Sequence, residues 1–331
     1  MLGTITAGIS QGFIWAVLAL GVYISFRLLE FADLSCEGSV TLGASIAAML
    51  IWKGVNPFLA SLLAFCGGCI AGSVTGILTT KLKIPPILSG ILTMISLYSI
   101  NIHIMSLATG VSGTANLSLL TMKDKTIYGM LRAVTGLDKT YVTLLCGVVF
   151  ATVIIAILYW FFGTEVGCTI RATGSNERMC RAQGINTDTA KILGLAISNG
   201  MIALAGSLLC QNQNFSDVNM GVGAIVIGLA SIIIGETVFM KVKSFALKLV
   251  GIVLGSVIYR VVVSIVIYSG MPSTDLKLMT AIIVMVALSL PIIKNAFYSS
   301  AKKRSVKKRS VKKCCEKKAA EPTPEGGEGN V

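Results

Sequence analysis

The chain contains one histidine, His103, among 331 residues. No His/Cys/carboxylate group stands at metal-ligand spacing, so no metal site is expected. No nucleophile–base pair is suggested either, so no catalytic residue is named. A G-x-x-x-x-G-K-[ST] run is absent, and with it the phosphate cradle needed to hydrolyse ATP. The chain is read as a non-enzyme without a cofactor of its own. Charge is also scarce: 13% of residues are Asp, Glu, Lys or Arg, where a soluble domain carries about 25%. The shortage excludes a large soluble domain. The nine cysteines are scattered, and Cys66-Gly-Gly-Cys69 has no matching pair and sits within an apolar run, so small apolar packing is its reading. None falls in a loop placed outside, so no disulfide framework is implied.

What the chain has instead is hydrophobic length: 54% hydrophobic residues and a mean hydropathy of +0.81. Several runs exceed eighteen residues with few charges, the length that crosses a bilayer. The spacing predicts an all-α, polytopic transmembrane bundle of nine spans, at 8–28, 35–52, 57–80, 86–109, 141–162, 191–210, 221–239, 247–268 and 276–293. The N-terminal run lacks a basic n-region and is read as the first span, not as a cleaved signal. Residues 1–295 form the membrane domain, and 296–331 a basic, disordered tail. The net charge of +13 is concentrated there: from Lys294 onward eleven Lys/Arg face four Asp/Glu, a balance of +7. Such a segment marks a cytoplasmic end and attracts anionic lipid; nucleic acid is not the expected partner. With the tail inside, alternation puts Arg27, Lys81/Lys83, residues 164–191 and Lys241/Lys243/Lys248 inside and the N-terminus outside. The outer loop 110–140 is the exception to the positive-inside rule, and its 126–135 stretch suits a short helix lying flat.

One polar interruption dominates the second half, Thr164 to Lys191. Gly174 and Ser175 predict a turn, Ser175 or Asn176 caps a short helix over Glu177 to Gln183, and Gly184 stops it. Asn186 or Thr187 caps the next helix. Met179 and Ala182 share one face of the short helix, and Arg178 and Arg181 another. By pattern alone this is a solvated loop with a helical turn.

Gly167, Arg171, Ala172, Gly174, Asn176, Gly184 and Ile185 sit at the spacing of the cytoplasmic loop in permeases of ABC importers of the branched-chain amino acid and ribose type, which the chain resembles. Three further blocks, DLSCEGSVTLGA, KLKIPPILSGILTMISLYSIN and GLASIIIGE, are similar to the tryptophan/tyrosine-type subgroup. Cys180 and Glu177 depart from the small residue and the proline usual at those positions. The resemblance implies that Arg171, Gly174, Asn176, Arg178, Arg181, Gly184 and Ile185 serve a coupling helix that docks on a separate cytoplasmic ABC ATPase. It also implies an extracytoplasmic binding (lipo)protein, a second permease copy or close paralogue, and a bacterial-type plasma membrane. A small polar solute such as an amino acid would cross by alternating access.

Polar residues inside spans are candidates for the path, because ionisable groups there normally face protein or water. They are Glu37, Asn101, His103, Asn199, Glu236 and Arg260. Glu37 and Glu236 are expected at similar depth near the inner surface, with Glu236 in reach of Lys241 or Lys243. Asp33 or Ser35 is expected to cap the second span. Arg260, about eight residues or roughly 12 Å from the outer end of its span, needs a partner or a wet cavity. An ion- or proton-coupled carrier using Glu37, Glu236, His103 and Arg260 as a relay is the alternative reading.

Overall fold

A computed structural model describes residues 2–238 and 244–269, with single positions 278, 280–282, 284, 285 and 289 beyond them. The expected ninth span, the tail 296–331, Lys241, Lys243 and Cys314/Cys315 lie outside the described residues, apart from those positions. All that follows concerns the unit that ends at Val284.

The protein is predominantly helical. Helix α1 (Leu2–Tyr23) runs on through a π-helical turn, Ile24–Leu28. Then come α2 (Ser35–Trp52), α3 (Pro57–Thr80) and α4 (Pro86–Thr109). A short strand β1 (Asn116–Ser118) leads through a 3-10 stretch into α5 (Ile127–Thr135). Next are α6 (Lys139–Gly163), α7 (Glu165–Ser175), α8 (Glu177–Ala182) and α9 (Thr187–Gln213). Strand β2 (Phe215–Asp217), α10 (Ala224–Val238) and α11 (Phe245–Tyr268) follow. Among the described residues, seven helices are long and apolar enough to cross a membrane; α10, at 15 residues, is a shorter apolar helix.

Local chemistry sets the ends. Asn56 accepts the Phe58 N–H with Pro57 in the first turn, so α3 starts there. Pro85 and Pro86 start α4, and Gly110, at φ +71°, closes it. Thr126 caps α5 by accepting from Gly129 N–H. Strands β1 and β2 pair antiparallel and join the loop after α4 to the loop after α9.

Helix α9 is the axis. It packs against α1, α2, α3 and α7. Glycines four residues apart on α3 meet it: Gly76 abuts Ile192 and Gly72 abuts Leu195, so the end of α3 lies beside the start of α9. Lys81 and Lys83 therefore sit at the end of the bundle that carries α7 and α8. The buried cluster combines Ile14 and Leu18 of α1, Ile154 and Leu158 of α6, and Ile202 and Leu209 of α9. The outer faces are also apolar, with Leu62 and Ile70 of α3, Ile95 of α4, and Val153 and Trp160 of α6 exposed. Helices apolar on both faces have their backbone groups satisfied internally and suit a hydrocarbon surround.

The turn expected at Gly174–Ser175 is not there. Helix α7 continues through both residues, and the break comes at Asn176, whose φ is −155°. Gly174 serves close approach: an added Cβ would fall on the Leu28 carbonyl, so α7 lies hard against the end of the first span.

Candidate functional site

Helix α8 stands as a short peg between two long helices. The Asn176 side chain accepts the Met179 N–H at 3.0 Å. Gly184 takes φ +80°, a conformation that side chains disfavour, and donates its N–H to the Arg181 carbonyl. Asn186 then caps α9 by accepting from the Asp188 and Thr189 N–H groups. Cys180 is the buried anchor, only 1% exposed, while Arg178, Met179 and Ala182 face outward. The two-face reading of this helix was thus incomplete: its inward residue is the cysteine that departs from the family's usual small side chain.

Arg181 is exposed, but its guanidinium is engaged by the protein itself. It donates to Thr187 Oγ1 at 2.8 Å and pairs with Glu177 at 2.8 Å and Asp188 at 3.2 Å. Lys191 pairs with the same Glu177 oxygen at 2.8 Å. The hydrogen bond from Lys191, joined by the charges of Lys191 and Arg181, holds the Glu177 carboxyl below its ordinary range despite partial burial. These ties fix the peg to the first turns of α9. Arg171 lies over the Phe245 ring at 4.8 Å, linking α7 to α11. Ile185 is half-buried in the turn after α8.

Between the first two spans the chain is not helical. Residues 29–34 run beside α9, and Glu30 has φ +51°. Asp33 is fully buried there. Its Oδ1 accepts from Ser35 N–H at 2.9 Å and from Ser35 Oγ, and its Oδ2 accepts from Asn199 Nδ2 at 2.7 Å. Asn199 Oδ1 in turn accepts from Ser39 Oγ at 2.6 Å. The N-cap of α2 is Leu34, without a side-chain cap, so neither Asp33 nor Ser35 takes the expected capping position; Asp33 reaches the first N–H of the helix, at Ser35, and belongs to this network, which sequence spacing did not disclose. Asn199 is one of its fixed members.

A cavity of about 340 Å³ lies between α2, α4 and the segment before α10. Glu37, Met94, Tyr98, Asn101, Asn219 and Val222 are among its lining residues. Glu37 Oε1 accepts the Gly223 N–H at 2.9 Å, one residue before α10. Glu236 is twelve residues into α10, about 18 Å along the axis at 1.5 Å per residue. It pairs with Arg27 at 2.8 Å. The expectation of equal depth is therefore corrected. The non-helical climb of residues 29–34 starts α2 well inside the bundle, so Glu37 reaches the opposite end of α10 from Glu236.

The remaining candidates are dispersed. His103 lies on the exposed face of α4 and does not line this cavity. Arg260 stacks over Trp15 at 3.9 Å, which gives its charge an aromatic partner within the span. The structure therefore joins Glu37 with Asn101 and places His103, Asn199, Glu236 and Arg260 in other surroundings. Among the described residues, no group of three His, Cys, Asp or Glu is placed to hold a metal ion.

Comparison with known proteins gives a consistent result. The family described as branched-chain amino acid transport system / permease component matches residues 4–289. The tyrosine transport system permease protein of Clostridioides difficile (strain R20291) is 43% identical over 280 residues, 85% of this chain and 88% of the relative. The ribose import permease protein RbsC of Escherichia coli K12 is 24% identical over 246 residues, covering 73% of this chain and 71% of RbsC. The autoinducer 2 import system permease protein LsrC of Salmonella paratyphi B is 26% identical over 234 residues, 70% of this chain and 62% of LsrC. No solved structure matches the chain.

Proposed function

The chain belongs to the permease-component family of branched-chain amino acid transport systems, and from that premise we propose that it forms half of the translocation path of an ABC importer worked by a separate ATPase. It is a multi-pass membrane permease, and its relatives are transport permeases, not enzymes. The observation that carries the coupling proposal is α8. It is capped at both ends and braced to α9 by Glu177, Arg181 and Lys191, yet presents Arg178 and Met179 outward. A rigid projection transmits a push; a loose loop would absorb it. In this reading Arg178 and Met179 meet the ATPase, while Arg171, Gly174, Asn176, Arg181, Gly184 and Ile185 set the angle of the peg.

The same reading puts α7 and α8 in the cytoplasm with Arg27, Lys81 and Lys83. The N-terminus is then outside, and nine spans place the basic tail inside. The β1–β2 ribbon and α5 lie at the outer face, where an extracytoplasmic binding protein would deliver the solute. A second permease copy completes the path. The solute proposed is a small polar molecule such as an amino acid, with tyrosine, which the name of the 43%-identical relative gives, as the first to try.

The test is co-purification. Gly184→Pro removes the N–H that Gly184 donates and forbids its positive φ. Arg178→Glu with Met179→Asp changes only the exposed face. Both variants should reach the membrane fraction at normal yield and lose the ATPase. Normal co-purification of the double variant would remove α8 from the coupling role. Uptake in de-energised vesicles loaded with ATP should persist in a protonophore and stop on ATP depletion. The opposite pattern would favour an ion-coupled carrier, whose four relay residues are dispersed in the structure.

A further inference from the structure

We propose that the cavity between α2 and α4 recognises the primary ammonium end of its solute, using the Glu37 carboxylate and the Asn101 side-chain carbonyl. The inference rests on the permease reading and specifies the chemistry of its path. Asn101 is 1% exposed, and its Oδ1 has no hydrogen-bond partner. The orientation of the amide is settled by its neighbour: Asn101 faces the Gly38 carbonyl at 3.3 Å, which only accepts, so that contact is made by Nδ2. Oδ1 is therefore a buried acceptor without a donor, on a residue that lines the cavity, a costly arrangement unless a ligand supplies one.

Glu37 adds a second acceptor. Its Oε1 takes the Gly223 N–H, and its Oε2 accepts nothing from any described residue. Among the described residues, no Lys, Arg or His lines the cavity. A carboxylate within a membrane protein normally pairs with a cation, and a primary ammonium supplies both the charge and the three N–H donors that two separate acceptors require. The Tyr98 ring and Met94 line the same space and suit an apolar or aromatic body attached to that ammonium. About 340 Å³ is at the lower end of small-molecule sites and fits one small solute.

The experiment is equilibrium binding of three labelled probes to the full-length permease in nanodiscs: L-tyrosine, tyramine and 3-(4-hydroxyphenyl)propionate. The two amines should bind saturably, and the deaminated acid at least about tenfold more weakly, since a charge-assisted hydrogen bond is worth a tenfold factor or more. Glu37→Gln should weaken both amines by about tenfold and should not weaken the acid, whose own carboxylate the Glu37 charge repels. Asn101→Leu should do the same, and Asn101→Asp, which keeps the acceptor, should retain amine binding if the leucine variant fails to fold. Equal binding of the acid, no saturable binding of any probe, or unchanged amine binding in Glu37→Gln would overturn the proposal. The two readings fail separately. Loss of amine preference with intact ATPase co-purification sinks this site alone, while amine binding without ATPase co-purification sinks the coupling reading alone.

Discussion

Asn199 donates its side-chain amide to Asp33 across 2.7 Å, tying the middle of α9 to the non-helical segment 29–34. The carboxylate is fully buried, and its other donors come from Ser35. A charged acceptor in such a place is tolerable because donors surround it; removing one leaves an unpaid desolvation cost.

Asn199→Leu should accordingly destabilise the protein by about 3 kcal/mol or more. Ser39→Ala, which removes the shorter of the two hydroxyl contacts to Asn199 Oδ1 and leaves that from Ser35, should cost about 1 kcal/mol. Thermal unfolding in detergent, followed by loss of the monodisperse peak, measures both. Equal effects of the two substitutions would contradict the network's order.

The Arg27–Glu236 pair is bidentate, at 2.8 and 3.0 Å, but its side chains are 60% and 35% exposed. Arg27→Ala should therefore cost no more than about 1 kcal/mol of stability. Its geometry still joins the end of the first span to the end of α10. The swapped double variant Arg27→Glu with Glu236→Arg should recover most of what either single change loses. A double-mutant cycle on thermal stability gives the coupling energy.

Arg260 over Trp15 should be worth about 1–2 kcal/mol in a desolvated span. Arg260→Ala and Trp15→Leu should each reduce thermal stability and solute uptake, and together they should cost less than the sum. Strict additivity would show that the stacking is not what holds the arginine there.

The Glu177 brace carries a pH signature. Its carboxyl is held below the ordinary value of 4.5 by Lys191 first and Arg181 next. A group with a depressed pKa contributes its stability above the unfolded value and loses it as pH falls through the folded one. Protection of residues 176–191 from hydrogen exchange should thus be steady from pH 8 to about 5 and decline below about pH 4.5. The pair is partly exposed, so added salt should shrink the effect. Glu177→Gln should show the weakened protection already at neutral pH.

Element positions were legible because their causes are local. Asn56-Pro57, Pro85-Pro86, Asn176, Gly184 and Asn186 act within one turn of where they stand, and a long apolar run needs no distant partner to be helical. The expected second, third and fourth spans coincide with helices α2, α3 and α4 at both ends. Gly174 was misread because a glycine that permits a turn and one that permits close packing look identical in a sequence.

The pairing of polar groups was a different matter. Asp33 meets Asn199, Glu37 meets Gly223, and Arg27 meets Glu236 across 166, 186 and 209 residues. Hydrophobic run length determined that these side chains would be embedded among helices, and the Asn and Gly punctuation determined the peg of α8. Only the packing of helices around α9 decided which charges would meet. Helix contact is governed by shape across the bundle, and no spacing along one chain segment encodes what another segment will bring beside it.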